Sequence, residues 1–132
     1  MADQKLYHDV LLDHYKYPHN KGLLPHPDCQ ATIFNPLCGD QVTLQALLDN
    51  DIIETCYFDG KGCVISLAAA SLLTKAVQGM HIQEVLKLQK DFMLDLVKLQ
   101  LGPTRLRCAL LALEALQKGI VDVAQGKVAP RT

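Results

Sequence analysis

Five cysteines, Cys29, Cys38, Cys56, Cys63 and Cys108, are the residues in this sequence with the most chemistry to offer. A cysteine can serve as a small buried hydrophobe, a metal ligand or a reactive thiol, and its neighbours decide which. Cys56 alternates with Phe58 in a β-forming run and reads as packing. Cys29 has no supporting context and is assigned no role. The other three stand in special places. Cys38 lies in Asn35-Pro36-Leu37-Cys38-Gly39-Asp40, a turn leading into a strand. Asp40, two residues on, can share a metal with that thiol if the loop curls. Cys63 follows Gly60-Lys61-Gly62, whose two glycines allow a tight strand-to-helix turn and whose lysine adds a nearby positive charge; the thiol lies at or just before a helix N-terminus, where exposed N–H groups and the helix dipole favour a thiolate. Cys108 falls in the first turns of another helix, close to Arg105 and next to Arg107, whose adjacency reads as stabilising a thiolate or persulfide there. A packing cysteine needs neither glycines nor caps around it. The thiolate is both the metal-binding and the sulfur-accepting form, so both chemistries stay open.

No Cys-x-x-Cys pair is present, which excludes a zinc ribbon or a thioredoxin-like motif. An odd cysteine count does not suggest a disulfide framework. Thiols this far apart in the chain form a site only if the fold gathers them. The elements that must do so are legible. A first helix runs from a cap at Asp3 to about residue 17, with Tyr7, Val10, Leu11 and His14 on one face, and Pro18 stops it. Residues 18–27 read as loop. Three extended segments follow at 31–34, 41–48 and 52–58, the last two joined by the polar turn Asp49-Asn50-Asp51. After Gly62 the period becomes helical. Ile65, Ala69, Leu72 and Ala76 form a stripe closed by Gly79, a short helix spans 82–86, and another spans roughly 89–100 and ends at Gly102. The last helix opens with Thr104 as N-cap and carries Leu106, Ala109, Leu113, Leu116 and Ile120 inward, with a frayed tail after Gln125. Strands followed by helices predict an α+β fold: a small three-stranded antiparallel sheet with helices packed on one face.

The 132 residues suit a single domain, residues 1–132, and 49% hydrophobic content is enough for a core. Thirteen basic against fourteen acidic residues argue against nucleic-acid binding as the main task. The opening residues carry charges and lack an apolar signal core, and no apolar run is long enough to span a bilayer, so the expectation is a cytoplasmic protein with no membrane partner.

Taken in order, the local sequences resemble the U-type iron–sulfur cluster scaffold proteins: IscU, SufU and the N-terminal domain of NifU. The likeness covers nearly the whole chain. It rests on Asp13-His14-Tyr15 and Pro18-His19-Asn20-Lys21-Gly22, on Asn35-Pro36-Leu37-Cys38-Gly39-Asp40, on Gly60-Lys61-Gly62-Cys63 with Ile65-Ser66, and on Arg107-Cys108-Ala109. The resemblance implies one site, formed by Cys38, Asp40, Cys63 and Cys108, for zinc, iron or a transient [2Fe–2S] cluster. It implies sulfur received as persulfide from a PLP-dependent cysteine desulfurase, with Cys108 and Cys38 as candidate acceptors, and a product passed to cluster carriers or apo iron–sulfur proteins.

Two features depart from the IscU pattern. Arg107 stands where IscU proteins have histidine, and Leu101-Gly102-Pro103-Thr104-Arg105 replaces their proline-rich chaperone segment, which puts dependence on a specialised Hsp70 in doubt. Arg107 and Cys63-Val64-Ile65-Ser66 look like SufU, yet the insertion typical of SufU before the third cysteine is missing. The resemblance thus supports a non-enzymatic scaffold first and a zinc-dependent sulfur carrier second. A Cys–His thiol hydrolase has no local motif in its favour. His14, on an apolar face, reads as a packed histidine, and His81 has no motif around it.

Overall fold

The computed structural model describes residues 4–37 and 39–126. Helix α1 (Gln4–Lys16) precedes strands β1 (Cys29–Asn35), β2 (Asp40–Asp49) and β3 (Ile52–Lys61). Helices α2 (Val64–Ala76), α3 (Ile82–Leu86), α4 (Lys90–Val97) and α5 (Pro103–Ala124) follow. The strands form one antiparallel sheet in the order β1-β2-β3, so the predicted α+β architecture is the observed one. The expected cap Asp3 and the tail from residue 127 onward lie outside the described residues.

The β2–β3 connection is tighter than the three-residue turn expected. Asp49 already pairs with Ile52, leaving Asn50 and Asp51 as a two-residue loop with φ of 52° and 64°. Two left-handed residues match the twist of a hairpin, and Asn and Asp tolerate that conformation. Just beyond, Leu47 faces Thr55 and Leu48 faces Ile53, so Glu54 is an extra residue. This bulge buries Ile53, Cys56 and Phe58 together and leaves Glu54 exposed. Strict alternation would have turned Glu54 to the same side as Cys56 and Phe58.

Val42, Leu44 and Ala46 of β2 and Cys29 and Ala31 of β1 complete the inner face of the sheet. Helix α5 packs on β1 and β2, and α2 packs on α5, β3 and β2. Gly119 permits this closeness: a Cβ there would lie 3.2 Å from the backbone of Gln30. Helices α1 and α4 pack in turn on α2. Surrounded in this way, α2 buries Ser66, Ala68, Ala69, Ala70, Ser71, Leu73 and Thr74. The stripe expected from its sequence is displaced from the buried face, for of its four members Ala69 is buried while Ile65, Leu72 and Ala76 are only half-buried. Small residues let neighbours approach α2 from several directions, a feature that a one-face periodicity does not reveal.

Helix α1 turns Leu11 fully inward with Tyr7 and His14 half-buried, while Val10 is exposed. The loop after it runs along the edge of β3, where Phe58 N–H donates to Asn20 O at 3.0 Å and Gly22 N–H donates to Phe58 O at 2.8 Å. The α4–α5 boundary differs from expectation. Helix α4 stops at Val97 because Lys98 takes a left-handed conformation, φ 61°. Gly102, expected to end that helix, is instead the N-cap of α5, and Thr104 lies inside it. Pro103 at the first helical position explains the shift, since its φ is preset and it has no N–H to satisfy.

Candidate metal and sulfur centre

The first part of the site is the tip of the β1–β2 hairpin. Asn35 pairs with Asp40 across it. Gly39 N–H donates to Asn35 O at 2.8 Å, and Leu37 N–H donates to Asn35 Oδ1 at 3.1 Å. Gly39 has φ +79°, which side chains rarely adopt, so glycine is required between the thiol-bearing position and Asp40. Cys38 itself lies outside the described residues. Asp40, the first residue of β2, is buried.

The second part is the passage from β3 to α2. Cys63 is the N-cap of α2, extended at φ −76° and ψ 171°, and its Sγ accepts from Ser66 N–H at 3.4 Å. The position expected from sequence is therefore the observed one. The role of the two glycines is different from a backbone turn, for neither has a positive φ. Both are required by space. A Cβ on Gly60 would lie 2.3 Å from Gln41 O, and a Cβ on Gly62 would lie 2.5 Å from Ser66 Oγ and 2.9 Å from Asp40 Cγ. Lys61, read as a charge near the thiol, lines a separate polar depression with Leu23, Gln41, Thr43 and Asp59.

The third part is Cys108, buried in the second turn of α5. One carboxylate oxygen of Asp40, Sγ of Cys63 and Sγ of Cys108 all lie within 4.8 Å of one another. Zinc–thiolate bonds of about 2.3 Å in a tetrahedron set sulfurs roughly 3.8 Å apart. The observed upper limit exceeds this by about the amount a side-chain adjustment covers. Two sulfurs and a carboxylate make a donor set suited to zinc or iron. A cavity of about 430 Å³ opens beside the two sulfurs, walled by Leu11, Leu12, Ile65 and Leu99, with His8 and Arg105 as its polar members. The cation on this cavity is Arg105. Arg107, which the sequence suggested as the thiolate's partner, is exposed and outside the cavity wall.

The remaining cysteines are accounted for by packing. Cys29 and Cys56 both pair with Ala46, one on each side of β2. Strand spacing puts their Cα atoms roughly 9–10 Å apart, beyond disulfide reach, and both are free thiols. Burial pushes Cys29 up to about 11, with Asp28 adding to the effect and a backbone hydrogen bond at Ala46 opposing it. Burial also raises Cys56 far above the ordinary thiol range, with Cys29 adding to it. Neither is a nucleophile near neutral pH. His14 is a packed histidine, its Nδ1 2.9 Å from Ser71 Oγ. His81 has a role the sequence reading missed: it caps α3 in a capping box with Glu84. The signal was there, a polar residue three before a glutamate, but histidine is not the usual capping type.

The chain is 38% identical over 139 residues to the zinc-dependent sulfurtransferase SufU of Bacillus subtilis, covering 92% of this chain and 93% of that protein. That match runs longer than this chain's 132 residues, so SufU carries residues without a counterpart here. The chain is 32% identical over 117 residues to the iron–sulfur cluster assembly scaffold protein IscU 1 of Archaeoglobus fulgidus, covering 89% of this chain and 76% of that one. Its fold matches the crystal structure of the N-terminal part of a nitrogen-fixing NifU-like protein from Brucella abortus, with a TM-score of 0.74 over 92% of this chain and 96% of the other, at 21% identity. The family model for the NifU-like N-terminal domain matches residues 6–129, and the chain belongs to that family.

Proposed function

We propose that this chain is an iron–sulfur cluster assembly scaffold, working as one domain over residues 1–132 in the cytoplasm. It accepts sulfur from a cysteine desulfurase, assembles a [2Fe–2S] cluster on Cys38, Asp40, Cys63 and Cys108, and passes it to carriers or apo-proteins. The observation that carries this reading is the convergence of Asp40, Cys63 and Cys108 within 4.8 Å from three separate elements. Cys38, two residues before Asp40 in the sequence, is the proposed fourth member. Thiolates hold soft metal, and the carboxylate is a harder, more weakly matched ligand at which a cluster can open. In sulfur transfer an acceptor thiolate attacks the outer sulfur of the desulfurase persulfide, and the donor cysteine leaves as thiolate. Cys108, on the wall of the cavity, and Cys38 are the acceptors proposed.

The second reading, a zinc-dependent sulfur carrier, is favoured by the 38% identity to SufU over nearly the whole of that protein. In that case zinc holds the site and one thiol leaves it to take the persulfide sulfur. One experiment separates the two. The protein is purified without oxygen, assayed for zinc, iron and sulfide, and incubated with desulfurase, cysteine and ferrous iron. A visible-range chromophore with equal iron and sulfide supports the scaffold. Tight zinc, no chromophore and a large gain in desulfurase turnover support the carrier.

A further inference from the structure

Ser66 is fully buried and touches the site at several points. Its N–H donates to Cys63 Sγ at 3.4 Å, its Oγ lies 3.6 Å from the same sulfur, and its hydroxyl donates to Cys63 O at 3.1 Å. The space a Cβ on Gly62 would take is bounded by Ser66 Oγ at 2.5 Å and by Asp40 Cγ and Oδ1 at 2.9 and 3.1 Å. The hydroxyl and the carboxylate thus converge on the one bare backbone position between them. Capping α2 needs only the N–H to sulfur bond, and an alanine at 66 would supply it equally well. The hydroxyl is a further contact, made by a side chain that is itself fully buried, where an idle polar group is costly.

We propose that Ser66 is a positioning residue for the metal centre: its hydroxyl fixes the Cys63 side chain so that Sγ faces Asp40 and Cys108. In the metal-free chain the Cys63 thiol is the donor in the Sγ–Oγ contact. A metal-bound sulfur would have no proton to give; the hydroxyl would then turn to donate to Sγ in place of Cys63 O, and Ser66 would supply two donors that orient the sulfur. This rests on the reading of Cys63 as a metal ligand and adds to it the residue that aims the sulfur.

The test is Ser66→Ala in the full chain, read by zinc competition against a chelator, by the thiolate-to-cobalt charge-transfer band of the Co(II)-substituted protein, and by the melting temperature of the metal-free protein. Loss of an outer partner of a metal ligand costs about 10- to 100-fold in affinity. The expected result is a zinc affinity lowered within that range, a shifted or weakened charge-transfer band, and a metal-free melting temperature close to that of the parent. A variant binding zinc within about twofold of the parent, with an unchanged band, overturns the role of Ser66 and leaves the metal site standing. A variant whose metal-free form melts much earlier and whose Co(II) band is unchanged also overturns it, as a structural role only. A parent chain that holds no zinc or cobalt overturns both this role and the site.

Discussion

At the scale of single residues, the site pairs unlike donors, and the unlike one should control release. Asp40 is the hard donor beside Cys63 and Cys108 in the proposed site, and its carboxylate would be the weakest match to a cluster of soft iron and sulfide. Asp40→Ala is expected to slow cluster transfer to an apo-acceptor by about tenfold, the effect of about 1.4 kcal/mol on the barrier. Decay of the visible absorbance on adding the acceptor measures this. Faster loss in the variant would show that Asp40 retains the cluster instead of loosening it. The same scale explains why the convergence of Cys63 and Cys108 is legible in the sequence. Both stand beside glycines, caps or arginines, and those neighbours are local. Cys29 sits in a row with Ala46 and Cys56, a relation created by pairing and absent from the linear order.

Elements bring those residues together, and the closest fit is where β2 lies against β3. Gly60 sits across from Val42 with no room for a side chain: a Cβ would lie 2.3 Å from Gln41 O and 3.0 Å from Val42 Cα. Both atoms are backbone, so relief requires the strands to part. Gly60→Ala should destabilise the fold by about 1–3 kcal/mol, the range for forced overpacking, and should weaken zinc binding because β3 carries the chain to Cys63. The urea midpoint and a zinc titration check the two effects, and an unchanged midpoint would mean the strands part freely. From the sequence alone this glycine reads as a turn former, since spacing cannot distinguish a need for positive φ from a need for space. Existence and order of the strands were legible because alternation and turn residues are local. The bulge at Glu54, the many-sided burial of α2 and the cap at Gly102 were not, because each follows from a neighbour distant in the chain. Arg105 and Arg107 show the same limit. Adjacency to Cys108 favoured Arg107, whereas helical rotation puts Arg105 on the cavity.

For the molecule as a whole, the site depends on how α1 and its following loop are held against α2, because α1 supplies His8, Leu11 and Leu12 to the cavity wall beside the thiols. Besides the burial of Leu11, the fastening has a polar part. Ser71 of α2 meets His14 Nδ1 of α1 at 2.9 Å and accepts from the His19 backbone N–H at 2.8 Å. The two imidazoles lie 4.9 Å apart, centroid to centroid. Burial lowers the pKa of His14 below its ordinary value, with His19 and then Lys75 adding to the effect and Asp13 opposing it. The unfolded chain therefore takes up this proton near 6.5 while the folded chain resists until lower pH. Between those two points the unfolded state binds more protons, so acid draws the equilibrium towards it. The contribution is intact above pH 6.5, begins to fall there, and is lost once pH has passed below the folded pKa. The metal-free protein is expected to melt at lower temperature at pH 5.5 than at pH 7.5. His14→Asn, which keeps a polar atom near Ser71 and has no proton to take up, should flatten part of that slope. Melting curves of both proteins at the two pH values make the comparison. An equal slope in the variant would show that the acid sensitivity lies elsewhere than in the α1–α2 contact.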